Sequence, residues 1–121
     1  MRKRALSLTN WKRYLDYENN SKLIPFIKSR GTEVFWQICQ NVQKYHLRGI
    51  SSLTMIIHEN APYAINIPRA EYFEVMNYAL RFFEKQEDYK KCQSITEWLD
   101  MMEEYNKKKR NKKVERQNKL I

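Results

Sequence analysis

Glycine and proline are scarce in this chain: two Gly (Gly31, Gly49) and three Pro (Pro25, Pro62, Pro68) in 121 residues. A sequence with so few breakers has few tight turns, which disfavours a many-stranded sandwich and points to long helices. Two isolated glycines also exclude a Gly-rich loop that cradles phosphates. Cysteine and histidine are equally sparse. Cys39, Cys92, His46 and His58 have no spacing that gathers the three or four ligands of a zinc site, so no metal and no cofactor is expected. No apolar run reaches the roughly 18 residues of a membrane span. The charged start, Met1-Arg-Lys-Arg4, has no apolar stretch behind it, so no secretory signal is read there. A cytoplasmic location is the expectation. No nucleophile–base arrangement and no carboxylate pair stands out, and the chain is not expected to be an enzyme.

What is abundant is positive charge, unevenly placed. The net charge is +9. The first thirty residues hold eight Lys/Arg against Asp16 and Glu18, and the last fifteen hold eight against Glu115. Residues 31–106 hold seven against eleven Asp/Glu. The chain therefore reads as a slightly acidic body with two basic ends. The expected organisation is a basic N-terminal arm (1–8), one helical domain (9–106) and a basic C-terminal tail (107–121).

Within the body, apolar spacing predicts the elements. Leu8, Trp11 and Leu15 predict a first helix near 9–19, with Thr9 or Asn10 as its N-cap. Asn19-Asn20-Ser21 reads as a break. Leu23, Ile24, Phe26 and Ile27 predict a short helical turn, with Pro25 suited to its start and Gly31 ending it. Thr32 then caps a helix over 33–47, whose buried stripe is Val34, Phe35, Ile38, Cys39, Val42 and Tyr45. Trp36 falls off that stripe, and Gly49 is a natural residue just past the helix end. His46 is expected on the surface at the helix C-terminus. Ser52–His58 and Tyr63–Ile67 predict a β-hairpin turning at Glu59–Pro62, with His58 near the turn. Ile56, Ile57, Ile65 and Ile67 are expected to supply its buried faces.

Tyr72, Val75, Met76, Ala79, Leu80 and Phe83 make one helical stripe, and Tyr89, Cys92, Ile95, Leu99 and Met102 make the next. Helices near 69–86 and 88–108, joined by a tight corner at Gln86-Glu87-Asp88, predict an antiparallel αα-hairpin. Both cysteines fall on apolar stripes and are expected as buried, reduced thiols. The fold class expected is thus mainly α (α+β): a small helical domain with one β-hairpin near 52–67, a C-terminal αα-hairpin and basic terminal extensions.

The segment Leu80–Cys92 resembles the corner of a tetratricopeptide-type repeat, where a large residue ends one helix and a Tyr plus a small residue open the next. The likeness covers one hairpin, with Leu80 where that family has Gly. No second copy stands at the period of about 34 residues, so it implies two packed helices, with no repeat array and no binding residues.

The chemistry-bearing pattern is the pair of basic ends. Lys and Arg beside phosphates release counterions, and aromatics among them can stack on bases. The candidate nucleic-acid-binding residues are Arg2, Lys3, Arg4, Trp11, Lys12 and Arg13 at one end. At the other they are Lys107, Lys108, Lys109, Arg110, Lys112, Lys113 and Arg116. The function expected is a non-enzymatic, nucleic-acid-associated accessory protein acting on RNA or DNA. The alternative is an assembly subunit that contacts other chains, or itself, through the hairpin edge and the αα-hairpin. The acidic residues Glu97, Asp100, Glu103 and Glu104 ordinarily form a solvated face. The other role open to them is docking a basic surface, such as a neighbouring copy's tail.

Overall fold

The computed structural model describes residues 7–19, 21–55 and 63–119. In chain order they form β1 (Ser7–Asn10), α1 (Lys12–Leu15), α2 (Ile24–Leu47), β2 (Ser52–Met55), β3 (Tyr63–Pro68), α3 (Tyr72–Lys85) and α4 (Tyr89–Lys119). Single 3-10 turns occupy Ser21–Leu23 and Arg69–Glu71. The fold is mainly helical, with an antiparallel β2–β3 pair and an αα-hairpin of α3 and α4, as expected. Arg2, Lys3 and Arg4, and the Ile56, Ile57 and His58 part of the hairpin, lie outside the described residues.

Two expectations fail near the N-terminus. Residues 9–19 are not one helix. Ser7–Asn10 is a strand lying parallel to β3, with Ser7 opposite Tyr63 and Asn10 opposite Asn66. The Trp11 amide continues that ladder to the Asn66 carbonyl at 3.2 Å. The sheet is therefore three-stranded, in the order β1-β3-β2. Only a single turn, α1, follows. Ser7 and Leu8, read as part of a basic arm, thus belong to the folded body. A four-residue strand gains its stability from pairing with a distant segment, which local spacing does not reveal.

The second correction concerns Gly31, which does not end a helix. α2 runs unbroken from Ile24 to Leu47, with Pro25 in its first turn. Gly31 is buried there against the ring of Phe82. Thr32 is consequently an exposed mid-helix residue, and its hydroxyl lies 3.3 Å from Gln86 Oε1. Gly49, by contrast, ends α2 as expected. It takes φ +72°, and the Ile50 amide reaches back to the Tyr45 carbonyl at 3.0 Å, the closing bond of a left-handed cap.

The core fills the space between α2, α3, α4 and the sheet. Phe35, Ile38, Cys39 and Val42 from α2 meet Tyr72, Val75, Met76, Ala79 and Phe83 from α3, with Ile95 and Met102 from α4, all 0% exposed. Ile65 and Ile67 are also fully buried, as expected for the inner strand. Leu80, Cys92 and Leu99 are half-buried at the margin of this cluster. Trp36, off the α2 stripe, reaches sideways to Trp98, ring centroids 5.1 Å apart. Both cysteines are free, and burial pushes the Cys39 thiol well above its ordinary pKa.

At the corner, Glu87 takes the left-handed conformation (φ 56°), and Asp88 caps α4 by accepting from the Lys91 amide at 3.3 Å. α4 then runs for 31 residues, about 46 Å. Among the described side chains Met102 is its last fully buried one, Tyr105 and Asn106 are half-buried, and those of 107–112 are exposed. The basic tail therefore continues the helix. Among the described residues no helix is long and apolar enough to cross a membrane.

Candidate polyanion interface

The end of α2, the start of the turn after β3 and the middle of α4 meet at one place. The left-handed turn at Gly49 leaves the carbonyls of Ile50 and Ser51 facing the Arg69 turn. The Arg69 amide donates to Ser51 O at 2.9 Å, its Nη1 donates to Ile50 O at 3.3 Å, and the Tyr72 hydroxyl donates to the same carbonyl at 3.1 Å. These bonds fix the guanidinium, which lies 5.9 Å from the Tyr105 ring centre.

Lys109, one helical turn after Tyr105, lies 5.0 Å from the same ring. Its Nζ is also 3.7 Å from where a β-carbon on Gly49 would sit. This is the C-terminal end of α2, whose partial negative charge favours cations. An open cleft of about 410 Å³ lined by Arg69, Asn106, Lys109 and Arg110 completes the site. Among the described residues, Arg69, Lys109 and Arg110 make no ion pair with any carboxylate.

The neighbouring titratable groups register this concentration of charge. The Lys109 ammonium beside it holds the Tyr105 hydroxyl below its ordinary pKa, and Arg69 adds to the effect. His46 lies beneath, 2% exposed, which corrects its expected surface position. Its ring packs edgewise on Tyr72, Phe73 and Tyr105, and Nε2 is 2.9 Å from Asn106 Oδ1. Burial holds its pKa below the ordinary value and the Arg69 and Lys109 charges push the same way, against the Asn106 bond. His46 supports the site from below as a neutral ring.

The other sequence candidates divide. Lys107, Lys108 and Lys112 are exposed on α4, with Lys108 bordering a different groove beside Leu47, Met101, Glu104 and Tyr105, and Lys113 and Arg116 follow on the same helix. Lys12 is exposed but committed: its Nζ lies 2.8 Å from Glu74 and 3.5 Å from Glu71, and the Glu74 bond holds its pKa above the ordinary value. Arg13 is exposed next to it. Trp11 is 1% exposed, its ring edge against Tyr78 at 5.7 Å. A ring so covered has no free face for a base, which corrects its expected stacking role. Lys12 and Trp11 instead line a separate cleft with Asp16, Glu18, Glu74, Tyr78 and Arg81. There the Tyr78 hydroxyl donates to Asp16 and Arg81 meets Glu18 at 3.4 Å, so the cations of this cleft already face carboxylates of the protein itself.

Arg69, the residue that joins the tail to the body, was not among the candidates. In sequence it is an isolated cation between Pro68 and Ala70. Its only signal is its place at the start of the helix after a strand. Compared with known proteins, the chain matches no family model, no curated protein and no solved structure.

Proposed function

We propose that the protein is a non-enzymatic, nucleic-acid-binding accessory protein, and that its principal contact is the cluster of Arg69, Lys109 and Arg110 with the basic helix that continues from it. The observation that carries this reading is that Arg69 and Lys109, from two distant stretches of sequence, stand together at Tyr105 with no carboxylate paired to them among the described residues. Four cations of the body, Lys12, Arg81, Lys85 and Lys91, each have an acidic partner, and none of the remaining described ones is brought beside a cation of the tail as Arg69 is. Cations presented along a helix can neutralise the phosphates of a nucleic-acid backbone, where affinity comes mainly from counterion release. The reading carries with it a cytoplasmic location and leaves RNA and DNA open.

The test is a fluorescence-anisotropy titration with single-stranded and duplex RNA and DNA across a range of salt. Binding should weaken steeply with salt, with a slope of about −0.7 to −0.9 per phosphate contacted. Absence of binding to every probe at low ionic strength rules the reading out. The assembly-subunit reading then leads, supported by the exposed apolar side chains Ile24, Ile50, Tyr89 and Met101.

A further inference from the structure

Asn106, a wall of the Arg69 cleft, has the two ends of its amide in different positions. Oδ1 lies 2.9 Å from Nε2 of His46. Nδ2 makes no hydrogen bond among the described residues and is not buried. Where the proton lies between Asn106 and His46 follows from the far side of the imidazole. The ring is 2% exposed, and its Nδ1 is buried without a partner. A buried lone pair there is tolerable, whereas a buried N–H with no acceptor costs more. The ring's bond to Asn106 also outweighs its attraction to the Met102 carbonyl. The proton of the neutral ring is therefore on Nε2 and is donated to Oδ1. Tyr72, Phe73 and Tyr105 close over the imidazole at 6.1, 5.4 and 5.4 Å between ring centres. The amide is thus held with its acceptor inward, and its two N–H donors are left for the cleft.

The other three residues of the cleft, Arg69, Lys109 and Arg110, carry side chains that only donate. On α4, Asn106 stands one turn before Lys109 and Arg110 and between them around the axis, about 60° from the first and about 40° from the second. Arg69 comes from the body, its guanidinium anchored to Ile50 O at 3.3 Å. We infer that this cleft is the seat of a single tetrahedral oxyanion of the phosphate class, that Asn106 binds it through its amide N–H groups, and that His46 is the positioning residue that keeps the amide turned outward. The cations draw the anion in, and the neutral donor, fixed from below, sets where it rests. The inference rests on the reading of this cleft as an anion site. It adds a defined seat for one phosphate, while the other cations of the tail neutralise its neighbours along a chain.

The experiment is an NMR titration of the ¹⁵N-labelled full chain with sulfate, standing in for one phosphate, at ionic strength held constant with chloride. The Asn106 side-chain amide should shift saturably, while that of Asn77 in the Trp11 cleft stays in place. Asn106→Leu, similar in size but without a donor, should weaken sulfate about three- to tenfold, the effect of one hydrogen bond. His46→Phe keeps the ring packing and removes the Nε2 donor, and should weaken it likewise. His46→Gln can still donate to Oδ1 and should restore most of the affinity, which a purely structural role for His46 would not require. The ring nitrogens of wild-type His46 should report a proton on Nε2 and a bare Nδ1, a readout that depends on no variant folding. Oligothymidylate then separates the two sources of phosphate. Displacement of sulfate assigns the seat to a nucleic-acid backbone. Sulfate binding that the oligonucleotide leaves untouched upholds the seat for a free phosphate-type anion and removes the nucleic-acid reading alone. No saturable shift at Asn106, unchanged affinity in Asn106→Leu, or a His46 proton on Nδ1 overturns the inference.

Discussion

A β-carbon on Gly31 would lie 2.7 Å from Cζ of Phe82, closer than carbon atoms approach without displacement. The ring cannot easily yield: Phe35 is 4.8 Å from it centre to centre, with Tyr17 and Phe83 on other sides. Two effects oppose at this site. Ala is the better helix former by roughly 1 kcal/mol, while forcing atoms into a filled core costs about 1–3 kcal/mol. Gly31→Ala should therefore destabilise by up to about 2 kcal/mol in urea unfolding. A gain in stability means that the α2–α3 contact is looser than described.

Trp11 belongs to the core, so its removal should act on folding. Trp11→Ala should cost about 3–5 kcal/mol, the range for deleting a buried aromatic. Under conditions where the variant remains folded, its affinity for single strands should match wild type. A selective loss of binding with unchanged stability restores the stacking role that burial argues against.

His46 ties stability to pH. Its folded pKa lies below the ordinary value, with burial the largest cause, so between the two values the unfolded chain binds the proton and the folded chain does not. Stability is then full above about pH 6.5 and falls as pH drops below it. The melting temperature should decline between pH 7 and 5, ahead of the losses near pH 4 and below from the lowered carboxyls of Asp16 and Asp88. His46→Gln, which retains a polar partner for Asn106, should flatten the upper part of that decline. An identical pH profile in the variant removes His46 as its cause.

The stripes of α2, α3 and α4 and the β2–β3 pair were legible because each repeats apolar residues at the period of its own element. Gly49 was legible too, since a left-handed cap has a local requirement. What was hidden depended on residues far away in sequence. β1 exists only beside β3, and the helical state of Gly31 is decided by Phe82. His46 looked like a helix-end cation, yet three aromatic rings from α3 and α4 close over it. The same holds for the site. The tail announced itself as a charge run, but no local pattern indicated that Arg69 would stand beside it or that Glu71 and Glu74 would neutralise Lys12.

That difference between Arg69 and Lys12 gives the sharpest test of the interface. Both carry one positive charge, so a protein held to nucleic acid by net charge alone would lose equally from either substitution. Lys12 already faces two carboxylates, and a phosphate would have to compete with them. Arg69 and Lys109 face none among the described residues. Arg69→Ala and Lys109→Ala should each weaken binding across all sequences and reduce the magnitude of the salt slope by about 1, the expectation for loss of one phosphate contact. Lys12→Ala should leave the slope nearly unchanged. Arg69→Lys separates charge from geometry, because an ammonium lacks the planar fork that holds Arg69 to Ile50 O. It should keep the salt slope while lowering affinity. Equal slopes for the Arg69, Lys109 and Lys12 alanine variants would show that binding follows overall charge, and the cluster around Tyr105 would lose its special place.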